Sequence, residues 1–395
     1  MDYLNGNILN AKNFIETKLK KRLLTKAVLE SVDYKLIADG MGQVSRIYRV
    51  KLIWSCNDED VLPNSVVLKF PRLKDFSDVV KMFQKNANKK SDEITKMIEV
   101  GHNVECDIYN LFESLKNPPV PLMRCYDAEK SNGENSGILI FEDMSPNGVS
   151  EDFSTILNVD EIFNLISLLV DLHVWSLTTS VDWKSKCLTL FNRLKDTTDK
   201  YAMMGGIQNI VNDYPEQFGF MDVQRIRHYM HIDNFTKRKE HLVNSMPKVL
   251  VHGDFKANNI FFKRRSDGTA SSRIAAIIDW QMAEAGLMID DMCNLLVVST
   301  SSTIRREHQK NIIQYYLNCL KAKLPKTLHR IIPDYETLWH AYKQIFLFKV
   351  VLLFNLSIDI IKHKNDNLDQ YNEIVDRITS AYYDAMEFLD EDAEH

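Results

Sequence analysis

Apolar and polar positions along the chain change period twice, and those changes divide it into regions. Residues near 8–29 carry apolar positions at helical spacing. Residues 34–54 read as two strands around a glycine turn. In the second, Tyr48, Val50, Leu52 and Trp54 alternate with Ile47, Arg49, Lys51 and Ile53, the period of two that a strand needs. A third strand, Val66 to Phe70, stops at Pro71. Two helical patterns follow, near 76–98 and 100–115. Strands near 121–127 and 137–142 flank the turn-rich run Ser131 to Gly137. From about 147 onward helices dominate. Residues 160–178 are apolar nearly all round, which predicts a buried helix. The exception is 249–280, where Asn259 to Lys263 and Ile274 to Asp279 flank the polar run Arg264 to Arg273, the pattern of a hairpin. Residues 304–392 are helical. The outline is a small β-rich lobe, a hinge near 142–146 and a larger α-rich lobe, an α+β chain divided at 1–143 and 144–395.

Length and composition agree with that outline. A chain of 395 residues exceeds one ordinary core. Hydrophobic residues at 45% and charged residues at 26% exclude global disorder. A net charge of −5 gives no basic footprint for nucleic acid, and the basic cluster Lys18 to Arg22 reads as the solvated face of an amphipathic helix. The six cysteines are dispersed with no C-x-x-C pair, which argues against zinc and suits a reducing compartment. The N-terminus has no basic segment followed by an apolar run. Ile345 to Ile361 is strongly apolar, but Lys349 and Asp359 interrupt it, so it reads as a buried helix rather than a membrane span. The expected setting is the cytoplasm.

The chemistry concentrates in Val251-His252-Gly253-Asp254-Phe255-Lys256-Ala257-Asn258-Asn259-Ile260. A carboxylate and, five positions later, a carboxamide sit between two apolar runs. The antiparallel hairpin then returns the chain to Ile278-Asp279-Trp280, so the open ends of its strands put Asn259 beside Asp279. Hard oxygen donors of this kind suit Mg²⁺. Asp254, on the loop just before, can face the same site as a base. Phosphoryl transfer needs a base for the attacking hydroxyl and metal ions that bridge phosphates. An H-G-D triplet alone is as easily an ordinary capped turn; the three residues together in a strand-loop-hairpin frame point to phosphoryl chemistry.

The small lobe adds candidates for nucleotide contact. Gly40-Met41-Gly42 lies between two predicted strands, where backbone N–H groups can approach phosphates. Lys69 sits inside the apolar strand Val66 to Phe70; it is either an edge-strand lysine or a phosphate-binding lysine that needs a carboxylate partner. Glu105 is the candidate partner and Asp107 its rival on another helix face. The apolar strand Ile138 to Phe141 ends at Glu142-Asp143-Met144, where an adenine could meet the backbone at Glu142 and Met144.

These residues resemble the aminoglycoside phosphotransferase and choline kinase superfamily, through His252-Gly253-Asp254, Asn259 and Ile278-Asp279-Trp280-Gln281. The ecdysteroid kinase-like branch is the nearer likeness, through Ser45 after the glycine turn, Glu105 ahead of Tyr109, Glu142-Asp143-Met144, Asn258-Asn259, Leu172-His173, and Gly286 followed by Asp291. The likeness covers roughly residues 30 to 360. It implies a bilobal protein-kinase-like fold, ATP and Mg²⁺ as cofactors, Asp254 as base, Asn259 and Asp279 as metal ligands, Lys69 and Glu105 as the phosphate-binding pair, and Glu142 to Met144 as the adenine hinge. It makes His252, His173 and Asp291 structural. Lys256 departs from many relatives, which carry a bulky residue there; a lysine could touch the transferring phosphate or reshape the acceptor pocket.

The resulting expectation is an ATP-dependent phosphotransferase with an alcohol acceptor. Aromatic residues at helical spacing, among them Tyr315, Tyr316, Trp339, Tyr342, Phe346, Phe348 and Phe354, with Trp280 to Met288, are candidate walls for a lipophilic, steroid-like or xenobiotic acceptor, although such spacing more often marks core. The alternatives are a choline-, ethanolamine- or aminoglycoside-type kinase, and a nucleotide-binding pseudokinase module. The last predicts a lost base or metal ligand, and none is lost. No D-F-G or A-P-E motif supports a protein kinase.

Overall fold

The computed structural model describes residues 8–23, 25–38, 44–56, 62–72, 91–132, 135–187, 202–231, 238, 241–242, 244–363 and 366–393. The chain divides into two compact units, residues 1–118 with 122–148, and residues 119–121 with 149–395. The first is β-rich and the second mainly helical, as an α+β chain requires.

The first unit is built on a five-stranded sheet of β1 (Leu29–Ala38), β2 (Ser45–Trp54), β3 (Ser65–Pro71), β4 (Cys125–Glu129) and β5 (Ile138–Glu142), in the order β1-β2-β3-β5-β4 with antiparallel neighbours. Register decides which side chains share a face. Val50 lies opposite Tyr34 on β1 and Val66 on β3, and Tyr48 lies opposite Leu68. Val50, Leu52, Trp54, Val66, Leu68 and Ile140 therefore share one core with Ala11, Ile15 and Leu19 of the helix Ile8–Lys20, whose apolar positions recur every four residues. The opposite face carries Lys69, Leu139 and Phe141. It packs against the helix Ser91–Glu113, where the Tyr109 and Phe141 rings sit 4.7 Å apart.

Several expectations shift. The first helix ends at Lys20, short of residue 29, and Leu29 is already the first residue of β1. Residues 100–113 continue the helix that begins at Ser91 rather than starting a new one, and most of the pattern near 76–98 lies outside the described residues. The strand expected near 121–127 is Cys125–Glu129. The Lys18 to Arg22 cluster is not simply solvated. Lys18 is buried and ion-paired with Asp127 at 3.0 Å and with Glu129, and Arg22 pairs with Glu113. These partners lie between 91 and 111 residues away, so local charge patterning could not show them.

In the second unit, the helix Val159–Thr178 begins at a capping box in which Asn158 and Glu161 each accept from the other's backbone N–H. Among the described residues it is the one helix long and apolar enough to cross a membrane, and Leu165, Ile166, Leu169, Val170 and Leu172 on it are buried within the protein. The apolar run from Ile345 belongs to the helix Tyr335–Leu356, which ends before Ser357. The helix Asp290–Val298 is buried at every residue, and at about 2 kcal/mol for each fully buried large apolar side chain it is a strong anchor. The long helices Ser302–Lys323 and Leu368–Ala393 are joined by buried Arg305, whose guanidinium donates to Asp384 at 2.7 Å.

Candidate active site

After the short strand β6 (Gly148–Ser150), the next strand is β7 (Val249–Val251), which opens the catalytic segment and pairs with β10 (Glu284–Gly286) so that Val251 lies opposite Glu284. The chain then turns sharply through His252-Gly253-Asp254. Gly253 has φ 83°, and a Cβ there would stand 2.2 Å from the Met282 carbonyl oxygen, so no other residue fits. His252 is buried. Its Nε2 donates to the Ile278 carbonyl at 2.8 Å, which leaves Nδ1 to accept from the Asp254 N–H at 3.3 Å. One imidazole thus ties the base loop to the returning strand. Below it, the Asp291 carboxylate accepts from the N–H groups of His252 at 2.7 Å and Gly253 at 2.9 Å. Burial raises the Asp291 pKa, opposed by His252 and by those two hydrogen bonds.

After Phe255, a single 3₁₀ turn, Ala257–Asn259, leads into the hairpin of β8 (Ile260–Arg264) and β9 (Ala270–Ile277). The hairpin expected from the sequence is present, with Ile260 opposite Ile277. Its open end is extended by one more bond, from the Ile278 N–H to the Asn259 carbonyl at 3.0 Å. The chain then reaches Asp279, which has φ 67° and ψ 56° and is the one non-glycine residue in the left-handed region among those described. Strain of this kind persists where the surroundings over-determine it, commonly at functional sites. Nothing in the sequence announced it.

The side chains meet as follows. Asp254 Oδ2 accepts from Lys256 Nζ at 2.5 Å and from Asn259 Nδ2 at 3.0 Å, and Asn259 Nδ2 also reaches the Asp254 carbonyl at 2.8 Å. The Asn259 amide nitrogen is therefore committed to Asp254, and its oxygen is the atom a cation would take. Asp279 accepts from Gln281 Nε2 at 3.3 Å. One carboxylate and one amide oxygen fit Mg²⁺, which keeps several waters and takes few protein ligands. Among the described residues no group of three or more His, Cys, Asp or Glu is placed to hold a metal ion.

In the first unit, Lys69 Nζ donates to Glu105 Oε2 at 2.6 Å, while Asp107 pairs with Lys130 at 2.7 Å. Glu105 is 1% exposed, so the pair is a desolvated one. Ser45 is buried at the start of β2, opposite Pro71. Gly40 and Gly42 lie outside the described residues. At the end of β5 the Glu142 N–H donates to the Arg124 carbonyl at 3.0 Å, and Asp143 holds Ser65 at 2.8 Å and Arg49 at 3.0 Å. The Met144 carbonyl accepts from Asn147 and Gly148.

The aromatic candidates for an acceptor wall resolve mostly into core. Tyr316, Tyr342, Phe346 and Phe354 are fully buried, as are Trp280, Leu287 and Met288. Buried His173 holds the Tyr316 hydroxyl at 2.7 Å, and burial lowers its pKa to about 3. Sequence reasoning missed two contributors to the site. Asn294 and Ser299, neither in a motif, bond the backbone of the catalytic segment at Phe255 and Ala257.

The chain is similar to the Caenorhabditis elegans "Uncharacterized oxidoreductase dhs-27", 26% identical over 360 residues, which cover 88% of this chain and 42% of that protein. The chain thus spans less than half the length of that relative. A second C. elegans protein, "Uncharacterized kinase-like protein D1044.1", is 22% identical over 71% of this chain and 72% of its own length. Among solved structures, the choline kinase from Cryptosporidium parvum superimposes with a TM-score of 0.49 at 12% identity, covering 97% of this chain and 95% of that one. Residues 12–395 match the DUF1679 family, described as "Uncharacterized oxidoreductase dhs-27", and the chain belongs to that family.

Proposed function

We propose that this chain is an ATP-dependent small-molecule kinase that transfers the γ-phosphoryl group to an alcohol hydroxyl. The observation that carries the reading is the three-residue arrangement at the open end of the hairpin. Asn259 donates to the Asp254 carboxylate, and its carbonyl accepts from Ile278, beside Asp279. Asp254 is the base that orients the acceptor hydroxyl and takes its proton as the oxygen attacks phosphorus. Asn259 and Asp279 hold Mg²⁺, which when bound neutralises phosphate charge. Lys256, 2.5 Å from Asp254, adds a positive charge where equatorial oxygens develop theirs. Lys69, braced by Glu105, binds phosphate oxygens, with Gly40, Gly42 and Ser45 as further contacts. The adenine meets the backbone from Glu142 to Met144. The Glu142 N–H and the Met144 carbonyl are already engaged, so the Met144 N–H and the Glu142 carbonyl are the groups for the base. Residues 1–143 and 144–395 are the two lobes of a protein-kinase-like fold in this reading, and the six free cysteines suit a cytoplasmic setting.

A neutral, lipophilic alcohol, steroid-like or xenobiotic, is the acceptor class that best fits Lys256. The lysine ammonium sits beside the base and therefore beside any hydroxyl the base can reach. An acceptor with a cationic centre a few bonds from that hydroxyl meets like-charge repulsion in a partly desolvated site. Choline- and aminoglycoside-type acceptors are disfavoured for that reason. The oxidoreductase name belongs to a relative more than twice as long. This chain has no G-x-G-x-x-G, and its larger sheet is antiparallel, so a nicotinamide reading finds no support here.

The test is a melting experiment with and without Mg·ATP. Nucleotide at about a hundred times its Kd adds about 2.7 kcal/mol to stability. Mg²⁺-dependent stabilisation that falls by about half or more in Asp279→Asn supports the reading, and absence of stabilisation from the wild-type chain refutes it.

A further inference from the structure

The turn that presents Asn259 lacks the cap such turns normally carry. Lys256 stands at its N-cap position and makes no side-chain cap bond, although the first N–H groups of any helical turn need an acceptor. Its side chain goes to Asp254 instead. The first N–H of the turn, that of Ala257, donates to Ser299 Oγ at 2.9 Å, from a residue 42 positions further on. Asn294 Nδ2 donates to the Phe255 carbonyl at 3.1 Å, which fixes the Phe255–Lys256 peptide, one residue beyond Asp254.

Both side chains are held on rigid ground. Asn294 is 0% and Ser299 1% exposed. The helix that carries Asn294 is buried at every position. Its C-terminal end is fastened at two further points, where the Val298 carbonyl accepts from Arg377 Nη1 at 2.5 Å and the Ser299 carbonyl from the Leu157 N–H at 2.9 Å. Asp291, Asn294 and Ser299 thus grip the loop at four backbone groups between His252 and Ala257. A local Ser, Thr or Asp cap at position 256 would compete with a lysine for that position, and the remote cap removes the competition.

We infer that Asn294 and Ser299 are positioning residues for phosphoryl transfer. Ser299 serves as a remote cap that sets Asn259 toward the metal and releases position 256 for the lysine beside the base. Asn294 fixes the Phe255–Lys256 peptide, and with it the course of the chain from Asp254 to the lysine beside it. The inference rests on the kinase reading, and its test separates the two.

Ser299→Ala, Ser299→Thr and Asn294→Leu are compared with the wild-type chain by amide exchange at Ala257, by Mg²⁺ dependence of ATP turnover (water serving as acceptor if no alcohol is known) and by melting. In Ser299→Ala, the Ala257 amide exchanges about tenfold faster and half-saturating Mg²⁺ rises about tenfold, the loss of one buried hydrogen bond. Ser299→Thr restores both. Asn294→Leu lowers kcat about tenfold with KM for ATP nearly unchanged. Variants that melt earlier yet keep wild-type kcat and Mg²⁺ dependence would overturn the inference and leave these residues merely structural. An unchanged Ala257 amide in Ser299→Ala overturns it equally. A wild-type chain that turns over no nucleotide refutes the kinase reading itself, and the inference with it.

Discussion

Lys256 and Asp254 form an ion pair at 2.5 Å between residues two apart, and Asn259 shares the same carboxylate oxygen at 3.0 Å. That oxygen already takes two donors, so in the kinase reading the other carboxylate oxygen is the one offered to an acceptor hydroxyl. Replacing Lys256 by Met removes the cation without removing a cap, because Lys256 makes none. The expected result is a kcat about 10- to 100-fold lower with KM for ATP little changed. A second readout is acceptor preference. The wild-type chain prefers the neutral carbon isostere of choline over choline, and Lys256→Met narrows that preference.

Asp279, proposed above as a metal ligand, has a left-handed backbone. Asn tolerates that conformation and a β-branched residue does not. Asp279→Asn therefore keeps the melting temperature and weakens Mg·ATP binding about tenfold or more, the loss of a charge-assisted contact. Asp279→Val loses binding and about 2 kcal/mol of stability as well. Titration calorimetry and urea unfolding measure the two effects separately.

Lys69 and Glu105 form a pair whose carboxylate is almost fully buried. Lys69→Met leaves that carboxylate desolvated without its lysine, and is expected to cost about 3 kcal/mol. Adding Glu105→Gln recovers much of the loss, although phosphate contact stays absent. A double-mutant cycle in urea shows the recovery, and nucleotide binding shows that it does not extend to function.

His173 makes stability depend on acid. Its folded pKa of about 3 lies below the ordinary 6.5, so the unfolded chain binds the proton first as pH falls. The stability conferred by the neutral ring is present above about 6.5 and is lost progressively toward about 3. Between pH 7 and pH 5 this amounts to about 2 kcal/mol. His173→Phe lowers stability at neutral pH, through the lost Tyr316 bond, but removes that part of the pH slope. Urea midpoints at the two pH values check it.

The sequence and the structure agree where the determinant is local. Alternation along Tyr48 to Trp54 placed β2, and the polar run between two β-rich segments placed the hairpin that brings Asn259 to the Ile278 peptide. The choice between Glu105 and Asp107 was open because both lie on one helix, and only the packing of that helix on β3 turns Glu105 inward. Lys18 looked solvated because its acidic partners sit on β4, more than a hundred residues away. The left-handed Asp279 left no signal, since no glycine or asparagine marks it. Ser299 left none either, because a cap supplied from 42 residues away has no local pattern. The aromatic run of the helix Tyr335–Leu356 reads equally as core or as pocket, and at Tyr342, Phe346 and Phe354 burial settles it as core.

In the kinase reading Asp254 serves phosphoryl transfer to an alcohol. Its most direct test is a mass-spectrometric search for phosphorylated products, made with Mg·ATP and a pooled panel of steroid, indole-glucoside, choline-type and aminoglycoside alcohols. Wild-type chain and Asp254→Asn are run side by side. The account expects a phosphorylated neutral alcohol with the wild type and at least a ~100-fold smaller yield with Asp254→Asn, the effect of losing a general base. Equal product from both would contradict it.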